Sequence, residues 1–268
     1  MITWFPHKKK ILTPVSKKDD FVAISSHELR SPLSVIKWYT EILLDEDTGP
    51  LTEEQRKYLI IIENSNQRAI DLIRSLLNVS RLDLDTFGIS PCLLSVSELV
   101  SALIMMVKPD ALKKNIEIVE EVEHGLPNIN LDKHLCNTVL KHPLINAIAF
   151  SGEGSTVKVS TFLGLKDGVV GGMTLPFDSV VVSFIDTGIG IPVSDQSKIF
   201  TKMYRGSNVE DTTGSDSGLG LYVAKTVMNL PQVEGDIWFT SEVGKGTTFY
   251  IAFPTKGMKT KEGRTVLE

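Results

Sequence analysis

A histidine, a carboxylate and an arginine stand side by side in Ser26-His27-Glu28-Leu29-Arg30-Ser31-Pro32-Leu33. A neutral imidazole is nucleophilic near pH 7 because its pKa lies close to that value. His27 is therefore a candidate phosphoryl acceptor. Glu28 is placed to orient the ring, or to take its other proton as phosphate arrives. In isolation, a solvated His-Glu pair on a helix would read the same way. The second half of the chain supplies context. Asp186-Thr187-Gly188-Ile189-Gly190-Ile191-Pro192 follows directly on the apolar run 180–185. Gly218-Leu219-Gly220-Leu221 opens a helix-like segment, and Gly244-Lys245-Gly246-Thr247 separates two strand-like runs. Glycine lets backbone approach a ligand closely, and amides at a helix start favour phosphate. One such loop is common in any protein. Three in this order, with an aspartate at the end of a buried strand, read as a nucleotide site in pieces.

The elements that must position these residues are legible. Residues 17–45 read as one helix, with Phe21, Ile24, Leu29, Leu33, Ile36, Ile42 and Leu43 giving a broad apolar face. Pro32 predicts a kink. Residues 45–50 form a turn, and Thr52 opens a second helix with Gln55 as capping-box partner. Leu59, Ile62, Ala69, Ile73 and Leu76 continue an apolar seam with Asn66 inside it. A long helical hairpin with apolar faces on both arms cannot bury them alone. Pairing two hairpins into a dimeric four-helix bundle does so; a monomeric hairpin packed on the rest of the chain is the alternative.

Ser90-Pro91 marks a boundary. Beyond it, helices are expected near 96–113 and 132–150. Strands are expected near 116–119, 156–162, 179–185, 236–240 and 247–253, with a long Gly-rich loop at 164–178. The fold class is α+β, a helical hairpin followed by an α/β sandwich. The domains are read as a tail or linker at 1–16, the hairpin at 17–90, the sandwich at 91–256 and a C-terminal tail at 257–268.

From about Asp19 to Pro254, nearly the whole chain, the sequence resembles the cytoplasmic kinase core of a bacterial two-component sensor histidine kinase. The H box corresponds to 26–33, the N box to 138–151 and the first glycine box to 186–190. The phenylalanine box runs from Phe200 to Arg205, and two further glycine boxes fall at 218–221 and 244–247. The resemblance implies the ATP-binding fold shared by these kinases, the ninety-kilodalton heat-shock chaperones, gyrase and mismatch-repair ATPases. It implies autophosphorylation of His27 from ATP with Mg²⁺, then transfer to an aspartate of a response-regulator receiver domain. Asp186 would bind the adenine amine, with Gly188 and Gly190 passing the base. Gly218 and Gly220 would lie beneath the phosphates, and Leu219, Gly246 and Thr247 would also belong to the nucleotide site. Lys202 and Arg205 would meet the triphosphate, Phe200 would anchor a lid at 207–217, and Asn146 would ligate Mg²⁺. Ser31 stands where the family carries a Thr or Asn for a regulator phosphatase activity. The regulator is expected to dock on Ile36, Tyr39 and Leu43. The N box departs from the family at three places. His142 replaces a second Asn, Pro143 follows it within a helix, and Ala149 stands where a Lys or Arg is common. These departures favour the alternative reading, a degenerate kinase serving as an ATP-binding or regulator-binding scaffold.

Composition sets bounds. The 268 residues carry a net charge of −5 and are 42% apolar. That is core enough for one or two domains, and it argues against a nucleic-acid partner. Cys92 and Cys136 follow no metal or redox spacing, and the reading is cytoplasmic with reduced thiols. No apolar run is long enough to span a membrane. Trp4-Phe5 ahead of Lys8-Lys9-Lys10 resembles the cytoplasmic end of a membrane helix, though a solvated tail is favoured. A sensor domain would be missing or supplied by another chain.

Overall fold

The computed structural model describes residues 14–45, 49–209, 217–263 and 265–267. Within its first helix it describes the side chains of Glu28 and of residues 30–44. Most of the tail at 1–16, most of the 207–217 loop and the side chain of His27 lie outside the described residues. The chain divides into two compact units, 1–86 and 87–268.

The first unit is an antiparallel pair of 31-residue helices, α1 (Pro14–Leu44) and α2 (Glu53–Asp83). Thr52 caps α2 as expected. Its hydroxyl accepts the Gln55 N–H at 3.2 Å, and the Gln55 side chain accepts the Thr52 N–H at 2.9 Å. α1 runs on through Pro32, which offers no amide to the Glu28 carbonyl. The two helices meet along Leu33, Lys37, Thr40 and Leu44 of α1 and Leu59, Glu63, Asn66, Ile70, Ile73 and Leu77 of α2, all buried or half-buried. Asn66 donates to the Leu33 carbonyl at 2.9 Å, fixing the register. The single seam expected on α2 resolves into two. Leu59 and Ile73 face α1, whereas Tyr58, Ile62, Leu72 and Leu76 form a neighbouring strip that stays exposed.

The second unit is built on a five-stranded sheet. Its strands are β2 (Glu117–Val122), β4 (Thr156–Gly164), β7 (Ser179–Ile185), β8 (Asp236–Glu242) and β9 (Gly246–Pro254). Their order is β2-β4-β7-β9-β8, with β2 and β4 parallel and the other pairs antiparallel. One face carries three helices, α3 (Val96–Lys113), α4 (Lys133–Phe150) and α6 (Gly220–Met228). Ser95 and Asp132 cap α3 and α4 through their side chains. The core between the layers is fully buried at Val159, Val180, Val182, Ile237, Ile251 and Phe253.

Several elements were not legible beforehand. β1 (Cys92–Leu94) and β3 (Ile129–Leu131) pair as a small second sheet, and α5 (Val193–Gln196) is a single turn. The expected loop at 164–178 contains a β-hairpin, β5 (Val169–Val170) and β6 (Met173–Thr174), joined by the two-residue turn Gly171-Gly172. The hairpin covers the sheet face opposite the helices. Trp238 donates its indole N–H to the Val170 carbonyl at 3.1 Å and stacks on Tyr250, while Leu175 and Val181 are buried beneath.

The expected division at residue 90 and the expected C-terminal tail are both revised. Phe87 and Ile89 belong to the second unit and are fully buried, and Thr265 and Lys261 near the C-terminus pair with them. The amide of Gly88 donates to Thr265 and that of Ile89 to Lys261, at 2.8 and 2.9 Å, and Leu267 is buried.

Candidate nucleotide site

Strand β7 ends by delivering Asp186 to the floor of a cleft of about 780 Å³ including its open mouth. Asp186 is 6% exposed. Its Oδ1 accepts two backbone amides, Gly188 at 2.9 Å and Thr247 at 3.1 Å. Both bonds end on one oxygen, which leaves Oδ2 for a ligand donor. Burial raises the pKa of the carboxyl, against the pull of those two amides. Neighbouring backbone explains two glycines. A Cβ at Gly246 would overlap the Asp186 carbonyl, and one at Gly190 would overlap that of Glu242. Both residues also hold positive φ, at 105° and 65°. Gly188 lies against the Phe150 carbonyl. Thr247, 6% exposed, shares a hydrogen bond of 2.9 Å with Ser241.

From the opposite side α4 brings Asn146 to the cleft. Pro143 does not break this helix, which runs unbroken to Phe150. Asn146 is 8% exposed and makes no side-chain hydrogen bond to a described residue. An amide oxygen without a partner among the described residues, at the wall of the cleft, fits a hard cation such as Mg²⁺. His142 lies one turn earlier, its ring so close to Gly220 that no Cβ fits there. A side chain at 220 would thus have to displace the His142 ring. At the end of α4, Lys114 donates to the Ala149 carbonyl at 2.7 Å.

Leu219, 1% exposed, precedes α6, and among the described residues no side chain caps the amides that open that helix. Its first amides are therefore open to an anion. Gly218 abuts the Tyr204 backbone with φ 66°. Of the two expected basic residues, Arg205 lines the cleft, whereas Lys202 holds its ammonium 5.0 Å from the centre of the Tyr222 ring. Phe200 packs against Phe239 at 5.9 Å between ring centres. Glu28 and Ser31 are exposed on α1, and the backbone of His27 lies in the same helix.

The cleft also takes residues that sequence reading missed. Phe150, Ile189, Ile191, Leu221 and Phe249 supply its apolar walls, and Tyr204 and Asn208 one side. The first five fall in or beside the motifs, but their apolar nature reads as core. An apolar slot with one carboxylate oxygen at its floor suits a flat heteroaromatic base bearing an amine.

Two family models match this chain. Residues 132–257 match the histidine kinase-, DNA gyrase B- and HSP90-like ATPases, and residues 17–85 match the His Kinase A phospho-acceptor domain. Together they are the two domains of a histidine kinase core. The chain is 27% identical over 245 residues to the sensor histidine kinase WalK of Bacillus subtilis, covering 90% of this chain and 37% of that protein. It is 28% identical over 249 residues to the cell-division control histidine kinase PdhS of Brucella suis, covering 89% and 23%. The chain thus spans well under half the length of these relatives. Among solved structures, full-length ShkA in complex with AMPPNP has the same fold, with TM-score 0.67 and 24% identity over 90% of this chain and 47% of that one. So does the histidine kinase ThkA in complex with the response regulator TrrA, with TM-score 0.57 and 21% identity over 88% and 61%. No helix among the described residues is long and apolar enough to cross a membrane.

Proposed function

We propose that this chain is the catalytic core of a two-component sensor. It binds Mg-ATP in the second unit, phosphorylates His27 and passes the phosphoryl group to an aspartate of a receiver domain. The observation that carries the reading is Asp186, a buried carboxylate with one oxygen satisfied by backbone and the other left for the adenine amine. A ring nitrogen of His27 attacks the γ-phosphorus, the bond to the β-phosphate oxygen breaks, and ADP leaves. The ring's other proton passes to Glu28. Catalysis is then mainly positioning and charge neutralisation. The open amides of α6 and the guanidinium of Arg205 hold the triphosphate. Asn146 would hold Mg²⁺, which neutralises phosphate charge when bound. Unbroken α4, with Asn146 at the cleft, weighs for the kinase over the degenerate scaffold. Titration calorimetry with ATP tests the site. Wild type should bind and Asp186→Asn should not; equal affinity would reject the assignment.

The working form is a homodimer. On α2 the exposed strip Tyr58, Ile62, Leu72 and Leu76, with Ser65 and Ala69 between, repeats at alternating four- and three-residue steps. Each of these residues precedes a seam residue by one position, about 100° around the helix. In an antiparallel hairpin the residues preceding the α1 seam face the same side. These are Pro32, Ile36, Tyr39 and Leu43. A second copy covers this combined face and buries both strips. The expected regulator-docking residues Ile36, Tyr39 and Leu43 therefore belong to the dimer. The receiver instead meets the other flank of α1, where Val35 and Trp38 are 50% and 58% exposed. A phosphatase activity through Ser31, exposed on α1 near His27, is a secondary proposal.

A further inference from the structure

Asp195 is 4% exposed yet lines no part of the cleft. It stands in α5, only one turn long. Its Oδ2 accepts the backbone N–H of Ser207 at 2.6 Å, and its Oδ1 accepts the Ser194 hydroxyl at 3.2 Å. The Tyr204 hydroxyl hydrogen-bonds the same carboxylate. A buried carboxylate is tolerated only when donors surround it. Two of these three donors come from the segment 204–209, which supplies Tyr204, Arg205, Gly206, Asn208 and Val209 to the cleft wall. That segment is irregular and is reached through Met203, a non-glycine residue at φ 58°. Its other anchor is Asn208, whose side chain donates to the Gly190 carbonyl at 2.9 Å. The wall thus hangs from Asp195 behind and from the first glycine loop in front.

We propose that Asp195 is a positioning residue for the nucleotide, holding the 204–208 wall in place through Ser207 and Tyr204 without touching the ligand. The proposal rests on the reading of the cleft as a nucleotide site. An ionised acceptor roughly doubles the strength of a hydrogen bond to a backbone amide. Asparagine keeps an acceptor of the same reach, and alanine keeps none.

The test is the initial autophosphorylation rate of the full chain across ATP concentrations. Asp195→Ala should raise KM for ATP about tenfold and leave the limiting rate within about twofold, whereas Asp195→Asn should stay within about threefold of wild-type KM. Should the alanine variant not fold, Asp195→Ser takes its place. Its hydroxyl is too short to reach Ser207, and the same rise in KM is expected. A KM within twofold of wild type in the alanine or serine variant overturns the proposal. So does an asparagine variant as impaired as alanine, or a fall in limiting rate without a change in KM. Asp186→Asn separates the two ideas. If it keeps nucleotide affinity, the cleft reading itself fails; if it loses affinity while Asp195→Ala does not, only the role of Asp195 fails.

Discussion

The carboxyl of Asp186 accepts more strongly from an adenine amine when ionised, and burial pushes its pKa up. Protonation therefore competes with nucleotide at a higher pH than an ordinary carboxylate would allow. ATP affinity should fall on acidification before the second unit unfolds, and calorimetry at stepped pH against a circular-dichroism control checks this. An affinity that tracks unfolding alone would speak against it. The N box is the other residue-scale question. The His142 ring lies against Gly220, and Ala149 offers only its carbonyl, to Lys114. Neither supplies the cation or amide that the resemblance leads one to expect. A charge-assisted contact to phosphate is worth about 1.5–3 kcal/mol, about tenfold or more in rate if made at the transition state. The His142→Asn, Ala149→Lys double variant should autophosphorylate about tenfold faster at saturating Mg-ATP. An unchanged rate would mean that these departures are neutral. Adding Pro143→Leu should contribute little, since α4 already passes through that proline unbroken.

At the scale of elements, the legible parts are those with local causes. The Thr52–Gln55 box and the alternation along β4 each need only a few adjacent residues, and the structure has both. What escaped were short elements stabilised from a distance. β1 and β3 are three residues each and exist because they pair with one another, and the β5–β6 hairpin exists because Trp238 and Tyr250 lie beneath it. The two seams of α2 were also merged, because one periodicity cannot say which strip meets the partner within the hairpin. The exposed strip carries a prediction. Ile62→Lys with Leu72→Lys should convert a dimer to a monomer in analytical ultracentrifugation while helicity persists; a dimer that survives both lysines would reject the bundle geometry.

Across the whole molecule, the C-terminal segment was the largest misreading. Residues 257–268 are polar enough to read as a tail, and only the long-range pairing with 87–89 shows otherwise. A Cβ at Gly263 would overlap the backbone of Phe87 and Gly88, so Gly263→Val should destabilise the second unit by more than about 2 kcal/mol in denaturant unfolding. Glu234 ties the same segment down. It pairs with Lys256 and with Lys259, the latter at 2.9 Å, and these hydrogen bonds hold its pKa down at about 2. A depressed carboxyl stabilises the fold fully above its unfolded pKa and loses that contribution as pH falls towards 2. The gap in melting temperature between wild type and Glu234→Gln should therefore be widest above pH 5 and close as pH falls; a constant gap would contradict this. The fold and the order of motifs were legible because both units rest on strong local signals, yet His27 and the cleft belong to different units. Their cooperation is the central claim, and one measurement addresses it. The full chain is incubated with Mg²⁺ and ATP labelled in the γ-phosphate. Label should appear on His27, labile to acid and stable to alkali, and should vanish in both His27→Gln and Asp186→Asn. Label that survives His27→Gln, or that is acid-stable, would contradict the account.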